Sequence, residues 1–119
     1  MPLVLVVEDN ADERAVYSAL LYYNGFDVVE AEDGQDAIQL AKTRDPDVIL
    51  MDVRLPTLNG LLTTEILRAT AETQSIPVVC MTGFDLSRER AEESGCRQLL
   101  RKPIPPAMLV DAVKDAIGG

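Results

Sequence analysis

Histidine is absent from the 119-residue sequence, and only two cysteines occur. Without an imidazole, the chain cannot build a histidine zinc site, a Ser–His or Cys–His catalytic pair, or a phosphohistidine of its own. Two cysteines are too few for a disulfide framework. We expect Cys80, which lies inside an apolar run, to be a small core residue, and Cys96 to follow the end of a helix.

Positive charge is scarce as well, with 11 Lys and Arg against 20 Asp and Glu and a formal net charge of −9. Such a surface repels nucleic-acid phosphates and anionic lipid, so we expect no direct nucleic-acid partner and no membrane partner. The apolar N-terminal segment 1–7 is short and has no basic leader. It therefore predicts a buried strand, not a signal peptide or a membrane span, and a cytoplasmic protein.

Five short apolar runs alternate with five segments of helical periodicity. The predicted strands are 3–7, 26–31, 47–52, 76–81 and 98–101, and the predicted helices are 11–23, 34–44, 61–69, 86–94 and 105–117. Asn10 and Glu13 match a capping box at the first helix. This alternation predicts one α/β domain over residues 1–119, a doubly wound parallel sheet with helices on both faces.

In such folds the functional crevice lies at the carboxyl ends of the strands. Four of the five predicted strands are followed there by chemically useful side chains: Glu8 and Asp9, Asp52, Thr82, and Lys102. Each has an ordinary alternative, because the acids could favour a helix N-terminus or a turn, and the hydroxyl and the ammonium could simply be solvated. Their joint placement at one edge of the sheet favours a site.

Three carboxylates at one edge need compensation, since two of them about 5 Å apart repel by roughly 3 kcal/mol at an effective dielectric near 20. Lys102 supplies one positive charge, and a divalent cation would supply the rest. Oxygen ligands favour Mg²⁺, with Mn²⁺ as a substitute. One carboxylate could then attack phosphorus, while Thr82 and Lys102 hold the phosphoryl oxygens.

The order of short motifs along the whole chain is similar to one known family. These motifs are Val6-Val7-Glu8-Asp9-Asn10, Leu50-Met51-Asp52-Val53-Arg54-Leu55-Pro56, Asn59-Gly60, Met81-Thr82-Gly83 and Arg101-Lys102-Pro103. The chain resembles the receiver domains of bacterial response regulators, chemotaxis regulators among them. The resemblance implies a flavodoxin-like sheet of five parallel strands in the order 2-1-3-4-5.

The resemblance also implies a role for each site residue. Asp52 is the phosphoacceptor, and Glu8, Asp9, Asp52 and the backbone carbonyl of Arg54 hold the metal. Thr82 and Lys102 bind the phosphoryl group, and Thr82 reorients when it arrives. The Lys102-Pro103 peptide is expected to be cis.

The implied partners are a sensor histidine kinase or a phosphotransfer protein as donor, and a downstream protein or output domain. The latter would bind the face formed by the fourth helix, the fifth strand and the last helix, and a homodimer is a further option. The protein would promote its own phosphorylation and dephosphorylation without being a turnover enzyme. It would be either a stand-alone receiver or part of a longer protein.

One position departs from the pattern of many receivers, and two others bear on the lifetime of the phosphoryl group. Leu99 stands where many receivers have an aromatic switch residue, three positions before the lysine. Arg54 and Phe84 occupy the two positions that modulate the lifetime of the phosphoryl group, and both are large. We expect them to restrict the attacking water and to prolong the phosphorylated state.

Two alternatives remain beside the phosphorylatable switch. A degenerate receiver would bind partners independently of phosphorylation, although all the expected polar residues are present. An aspartate-based phosphatase would need Asp-x-Asp after its first strand, where this chain has Glu8-Asp9-Asn10. A nucleotide-binding module is disfavoured because no glycine-rich loop follows the first strand.

Overall fold

A computed structural model describes residues 1–118, and Gly119, the last residue of the predicted domain, lies outside them. Five strands and five helices alternate along the chain. The strands are β1 (Leu3–Val7), β2 (Asp27–Ala31), β3 (Val48–Asp52), β4 (Val78–Thr82) and β5 (Gln98–Arg101). The helices are α1 (Ala11–Tyr23), α2 (Gly34–Arg44), α3 (Gly60–Ala69), α4 (Arg88–Glu93) and α5 (Pro106–Gly118).

The strands form one parallel sheet in the order β2-β1-β3-β4-β5, which confirms the predicted fold. Every residue of β3 and β4 is buried, as expected for strands that are covered on both faces. None of the helices formed by residues 1–118 has the length and apolar character that a membrane crossing needs.

The core consists of two layers, because successive strand residues point to opposite faces of the sheet. One layer packs the sheet against α1 and α5 and includes Val4, Val6, Leu21, Leu50, Leu109 and Val113. The other packs it against α2, α3 and α4 and includes Leu5, Val7, Ala37, Ile49, Leu67 and Ala91. Both layers hold the strands rigidly, so their carboxyl ends form a fixed platform.

The fourth helix is shorter than predicted. It begins after Ser87, whose side chain accepts a hydrogen bond from the backbone N–H of Arg90 at 3.0 Å. Leu86, predicted as its first residue, remains outside, and its carbonyl accepts a hydrogen bond from the Arg101 guanidinium at 2.6 Å. The serine cap therefore defines a helix of six residues.

The cysteines depart from the sequence expectation in one respect. Cys80 is fully buried in β4, as predicted, but its sulfur is bonded to that of Cys96 in a disulfide. Cys96 lies between α4 and β5, and the two residues are 16 positions apart in the chain. The pairing of β4 with β5 brings them together, and this contact has no signature in the local sequence.

Candidate functional site

Strand register brings the first two acidic positions together. Val7 of β1 lies opposite Met51 of β3, so Glu8 and Asp52 follow side by side at the edge of the sheet. Asp52 is the last residue of its strand, and α3 begins close behind it because Gly60 has no side chain. A Cβ at Gly60 would overlap the carbonyl oxygen of Asp52 and lie 2.8 Å from the Cα of Val53 in the same loop.

The pairing of β4 with β5 positions the hydroxyl of Thr82 and the ammonium of Lys102. Thr82 of β4 lies opposite Arg101 of β5, and Lys102 follows directly. The peptide bond between Lys102 and Pro103 is cis. All the residues that the sequence places at the strand ends are therefore at one edge of the sheet.

Glu8, Asp9 and Asp52 form an acidic cluster. Each offers a carboxylate oxygen, and these oxygens all lie within 4.8 Å of one another. Glu8 is 1% exposed and Asp52 4%, whereas Asp9 is exposed. Burial raises the pKa of Glu8 from 4.5 to about 7; the Lys102 hydrogen bond opposes this rise, and the Asp52 carboxylate adds to it.

The Lys102 ammonium neutralises part of this charge. Its Nζ donates to Glu8 Oε1 at 2.9 Å, to Glu13 Oε1 at 3.0 Å and to Asp52 Oδ2 at 3.4 Å. Burial lowers the pKa of Lys102, but the hydrogen bonds to Glu8 and Glu13 outweigh it, and the net shift is upward. Lys102 is therefore charged at neutral pH and bonded to three carboxylates.

Glu13 is the residue that sequence reasoning assigned incorrectly. Its backbone N–H does donate to the Asn10 side chain at 2.9 Å, as in a capping box. However, the Asn10 N–H donates to Glu8 Oε2 at 3.2 Å, and the Glu13 carboxylate turns to Lys102 instead. The attraction of a partly buried ammonium outweighs a hydrogen bond from a neutral backbone donor. Only the position of Glu13 in the first turn after an acidic strand end could have indicated this.

Asp52 and Thr82 are held by the backbone beside them. Asp52 Oδ1 accepts a hydrogen bond from the N–H of Arg54 at 3.2 Å. The Thr82 hydroxyl is buried, donates to the carbonyl of Phe84 at 3.1 Å and accepts from the N–H of Phe84 at 3.2 Å. The threonine is therefore engaged within its own loop.

The two predicted lifetime positions touch across the mouth of the cleft. The Arg54 guanidinium carbon lies 5.2 Å from the centroid of the Phe84 ring, in a cation–π contact. The cleft below has a volume of about 330 Å³ and is lined by Glu8, Asp9, Asn10, Glu13, Asp52, Arg54, Gly83, Phe84 and Lys102. A larger groove of about 690 Å³, between α1 and β2, contains none of the predicted site residues.

Leu99 lies away from the cleft. It is 7% exposed and belongs to the same core layer as Ala91 of α4 and Cys96. Its aliphatic side chain packs beneath α4 and has no polar group to exchange between two environments.

The acidic cluster fits a hard divalent cation. Its donors are carboxylate oxygens on one side of an open cleft, which suits an ion such as Mg²⁺ that keeps several waters. The surplus of carboxylates over the single ammonium leaves charge for a cation to neutralise.

The sequence matches the family model for the response regulator receiver domain over residues 4–114. It is 32% identical over 117 residues to the polar-differentiation response regulator DivK of Brucella ovis, covering 97% of this chain and 95% of DivK. The structure resembles that of the Vibrio cholerae chemotaxis protein CheY4, with a TM-score of 0.90, 28% identity and 98% of both chains covered.

A third relative was solved with a metal. The receiver domain of the sensor histidine kinase PA1611 from Pseudomonas aeruginosa has a magnesium ion coordinated in its active-site cleft. Its TM-score to this chain is 0.91, with 32% identity, 99% of this chain and 98% of that domain covered. Receiver domains bind Mg²⁺ in an acidic pocket, and in this chain Glu8, Asp9 and Asp52 form an acidic group that could hold a metal ion.

Proposed function

Because the chain belongs to the response regulator receiver domain family, we propose that it is a phosphoacceptor switch of a two-component phosphorelay, with Asp52 as the acceptor. Receiver domains are signalling switches and generally not turnover enzymes. On this proposal residues 1–119 form one receiver domain. Its donor is a phosphohistidine of a sensor kinase or a phosphotransfer protein, since the chain has no histidine.

The environment of Asp52 carries the proposal. The residue is 4% exposed, and yet its carboxylate lines an open cleft. The Arg54 N–H holds one oxygen and the Lys102 ammonium approaches the other, at 3.2 and 3.4 Å. A carboxylate that is positioned in this way and faces solvent only through the cleft is suited to nucleophilic attack.

Glu8, Asp9, Asp52 and the carbonyl of Arg54 would hold Mg²⁺ on this proposal. When bound, the ion would neutralise negative charge on the carboxylates and on the incoming phosphoryl group. In the transfer step an oxygen of Asp52 forms a bond to phosphorus while the phosphorus–nitrogen bond of the donor breaks, and the imidazole leaves with the electron pair. Lys102 donates hydrogen bonds to the phosphoryl oxygens as the charge spreads over them.

The change that follows starts at Thr82. Its hydroxyl donates to the carbonyl of Phe84, so it must give up that hydrogen bond before it can donate to a phosphoryl oxygen. The loop from Gly83 to Ser87 then has to rearrange, and α4 follows this loop. On this proposal a partner binds the α4–β5–α5 face, and Leu99 responds by repacking under α4 and not by swinging a ring.

Intact-mass measurement with a small phosphodonor tests the proposal. In the presence of Mg²⁺ we expect the wild-type protein to gain the mass of one phosphoryl group, and Asp52→Asn to gain none. Asp111→Asn, which removes an exposed carboxylate of α5, serves as the matched control and should be labelled like the wild type. A wild-type protein that is not labelled would favour a degenerate receiver instead.

A further inference from the structure

The Lys102 ammonium is shared among three carboxylates of different character. Glu8 at 2.9 Å is buried, with 1% of its side chain exposed, and Asp52 at 3.4 Å is the proposed acceptor, with 5% exposed. Glu13 at 3.0 Å comes from the first turn of α1 and is 44% exposed. An ammonium has three N–H donors, and here each has a carboxylate partner.

We propose that Glu13 is a positioning residue that holds Lys102 in the unphosphorylated protein and competes with the phosphoryl group for its ammonium. This inference rests on the proposed function, because it concerns how the same cleft receives the phosphoryl group. A phosphoryl oxygen can accept a hydrogen bond from Lys102 only if one existing partner is released.

The solvent exposure of each carboxylate determines which one most easily gives up its hydrogen bond from Lys102. Without the ammonium, Glu8 would be a charged carboxylate almost without solvent, which is strongly unfavourable. Asp52 has to remain beside Lys102, because its carboxylate oxygen is the one that forms the bond to the incoming phosphorus. Glu13 is nearly half exposed, and water can replace the lysine at its carboxylate. Glu13 is therefore the carboxylate that most easily releases the Lys102 ammonium.

A second contact supports a role for Glu13 beyond helix capping. The Tyr17 hydroxyl, one turn further along α1, donates to Glu13 Oε1 at 3.4 Å, and the Tyr17 ring centroid is 6.0 Å from Lys102 Nζ. Burial raises the pKa of Tyr17 to about 12, so its hydroxyl keeps its proton and remains a donor at neutral pH. Tyr17 thus orients the carboxylate that holds Lys102.

The test compares Glu13→Gln with Asp12→Asn. Both replacements neutralise an acid in the first turn of α1, so their effects on the helix dipole and on net charge are matched. Of these two acids, Glu13 contacts Lys102 and Asp12 does not. With acetyl phosphate and Mg²⁺ we expect the labelling rate constant to rise about fivefold in Glu13→Gln, as for the loss of one partly exposed ion pair, and less than about twofold in Asp12→Asn.

A measurement on unphosphorylated protein separates this inference from the proposed function. The exchange of the Lys102 ammonium protons with water, followed through the Nζ resonance, should become faster in Glu13→Gln and stay unchanged in Asp12→Asn. Unchanged exchange in Glu13→Gln, or labelling no faster than in Asp12→Asn, would overturn the inference. A wild-type protein that is never labelled would instead overturn the proposed function.

Discussion

The two walls of the cleft are built in different ways. The acidic wall, formed by the residues that follow β1 and β3, consists of Glu8, Asp9 and Asp52, and two of its three side chains are buried. The β4–α4 wall, formed by residues 83–87, has an exposed Phe84 and leads into a helix of only six residues. The acidic wall therefore holds its charges in a closely packed environment, whereas the β4–α4 wall is exposed and joins only a short helix.

If Asp52 is the phosphoacceptor, as proposed, this difference suits the two walls to different tasks. A wall that holds a nucleophile needs fixed geometry, which close packing against α3 provides. A wall that reports the state of the cleft needs an alternative arrangement of low cost, and short helices with exposed loops have low local stability. Substitutions at matched positions on the two walls should therefore differ in their effects.

The largest effect should come from filling the space behind the acidic wall. In Gly60→Ala the new Cβ overlaps the carbonyl of Asp52, so the backbone must move, and we expect the free energy of unfolding to fall by about 3 kcal/mol. In Gly83→Ala the new Cβ lies 3.9 Å from Lys102 Cδ, an ordinary contact, and we expect a change below about 0.5 kcal/mol. Urea unfolding measures both, and equal losses would contradict the difference between the walls.

A somewhat smaller change in the free energy of unfolding should follow when the charge of Glu8 is removed from the acidic wall in the absence of metal. Burial raises the pKa of Glu8 to about 7 from 4.5 in the unfolded chain. Protonated Glu8 therefore stabilises the folded state relative to the unfolded chain. This contribution is complete below about pH 4.5 and is lost as the pH rises through about 7. In chelator at pH 8, Glu8→Gln should be more stable than the wild type by about 2 kcal/mol.

Glu32→Gln, which neutralises an exposed acid beyond the end of β2, is the control for Glu8→Gln and should change little. Thermal unfolding at pH 4 and pH 8 gives the comparison. If Glu8→Gln is no more stable than the wild type at pH 8, burial of the charged Glu8 carboxylate does not destabilise the fold.

The smallest effect concerns the contact between the walls. The Arg54 guanidinium stacks on the Phe84 ring above Asp52, so we expect these groups to keep water from the phosphoryl group. Arg54→Asn and Phe84→Ala should each speed the decay of phosphorylated protein about threefold to tenfold, roughly 1 kcal/mol in barrier. Arg54→Lys, which retains the charge, separates stacking from electrostatics. If neither Arg54→Asn nor Phe84→Ala speeds decay, the shielding hypothesis is wrong.

The fold was predictable because its signals are local and repeated. Unbroken apolar runs such as 48–51 mark strands that are buried on both faces, and the helical segments between them leave few connections to choose from. The convergence of Asp52 and Lys102 at one edge follows from strand direction alone. These predictions needed no knowledge of side-chain positions.

What the sequence did not reveal depends on contacts between distant residues. The capping-box pattern correctly placed the start of α1, but it directed the Glu13 carboxylate to the wrong partner, because Lys102 is 89 positions away in the chain. Two other contacts were not foreseen for the same reason: the disulfide between Cys80 and Cys96, and the stacking of Arg54 on Phe84. Each needs the register of the sheet before it can be foreseen.

The disulfide between Cys80 and Cys96 turns the segment that contains α4 into a closed covalent ring. A protease that cuts one bond between residues 81 and 95 would therefore not divide the molecule. Under non-reducing conditions the nicked protein would migrate as one species, heavier than the intact chain only by one water. It would separate into two fragments after a thiol is added, so the fragments that appear only with thiol report cleavage within this segment.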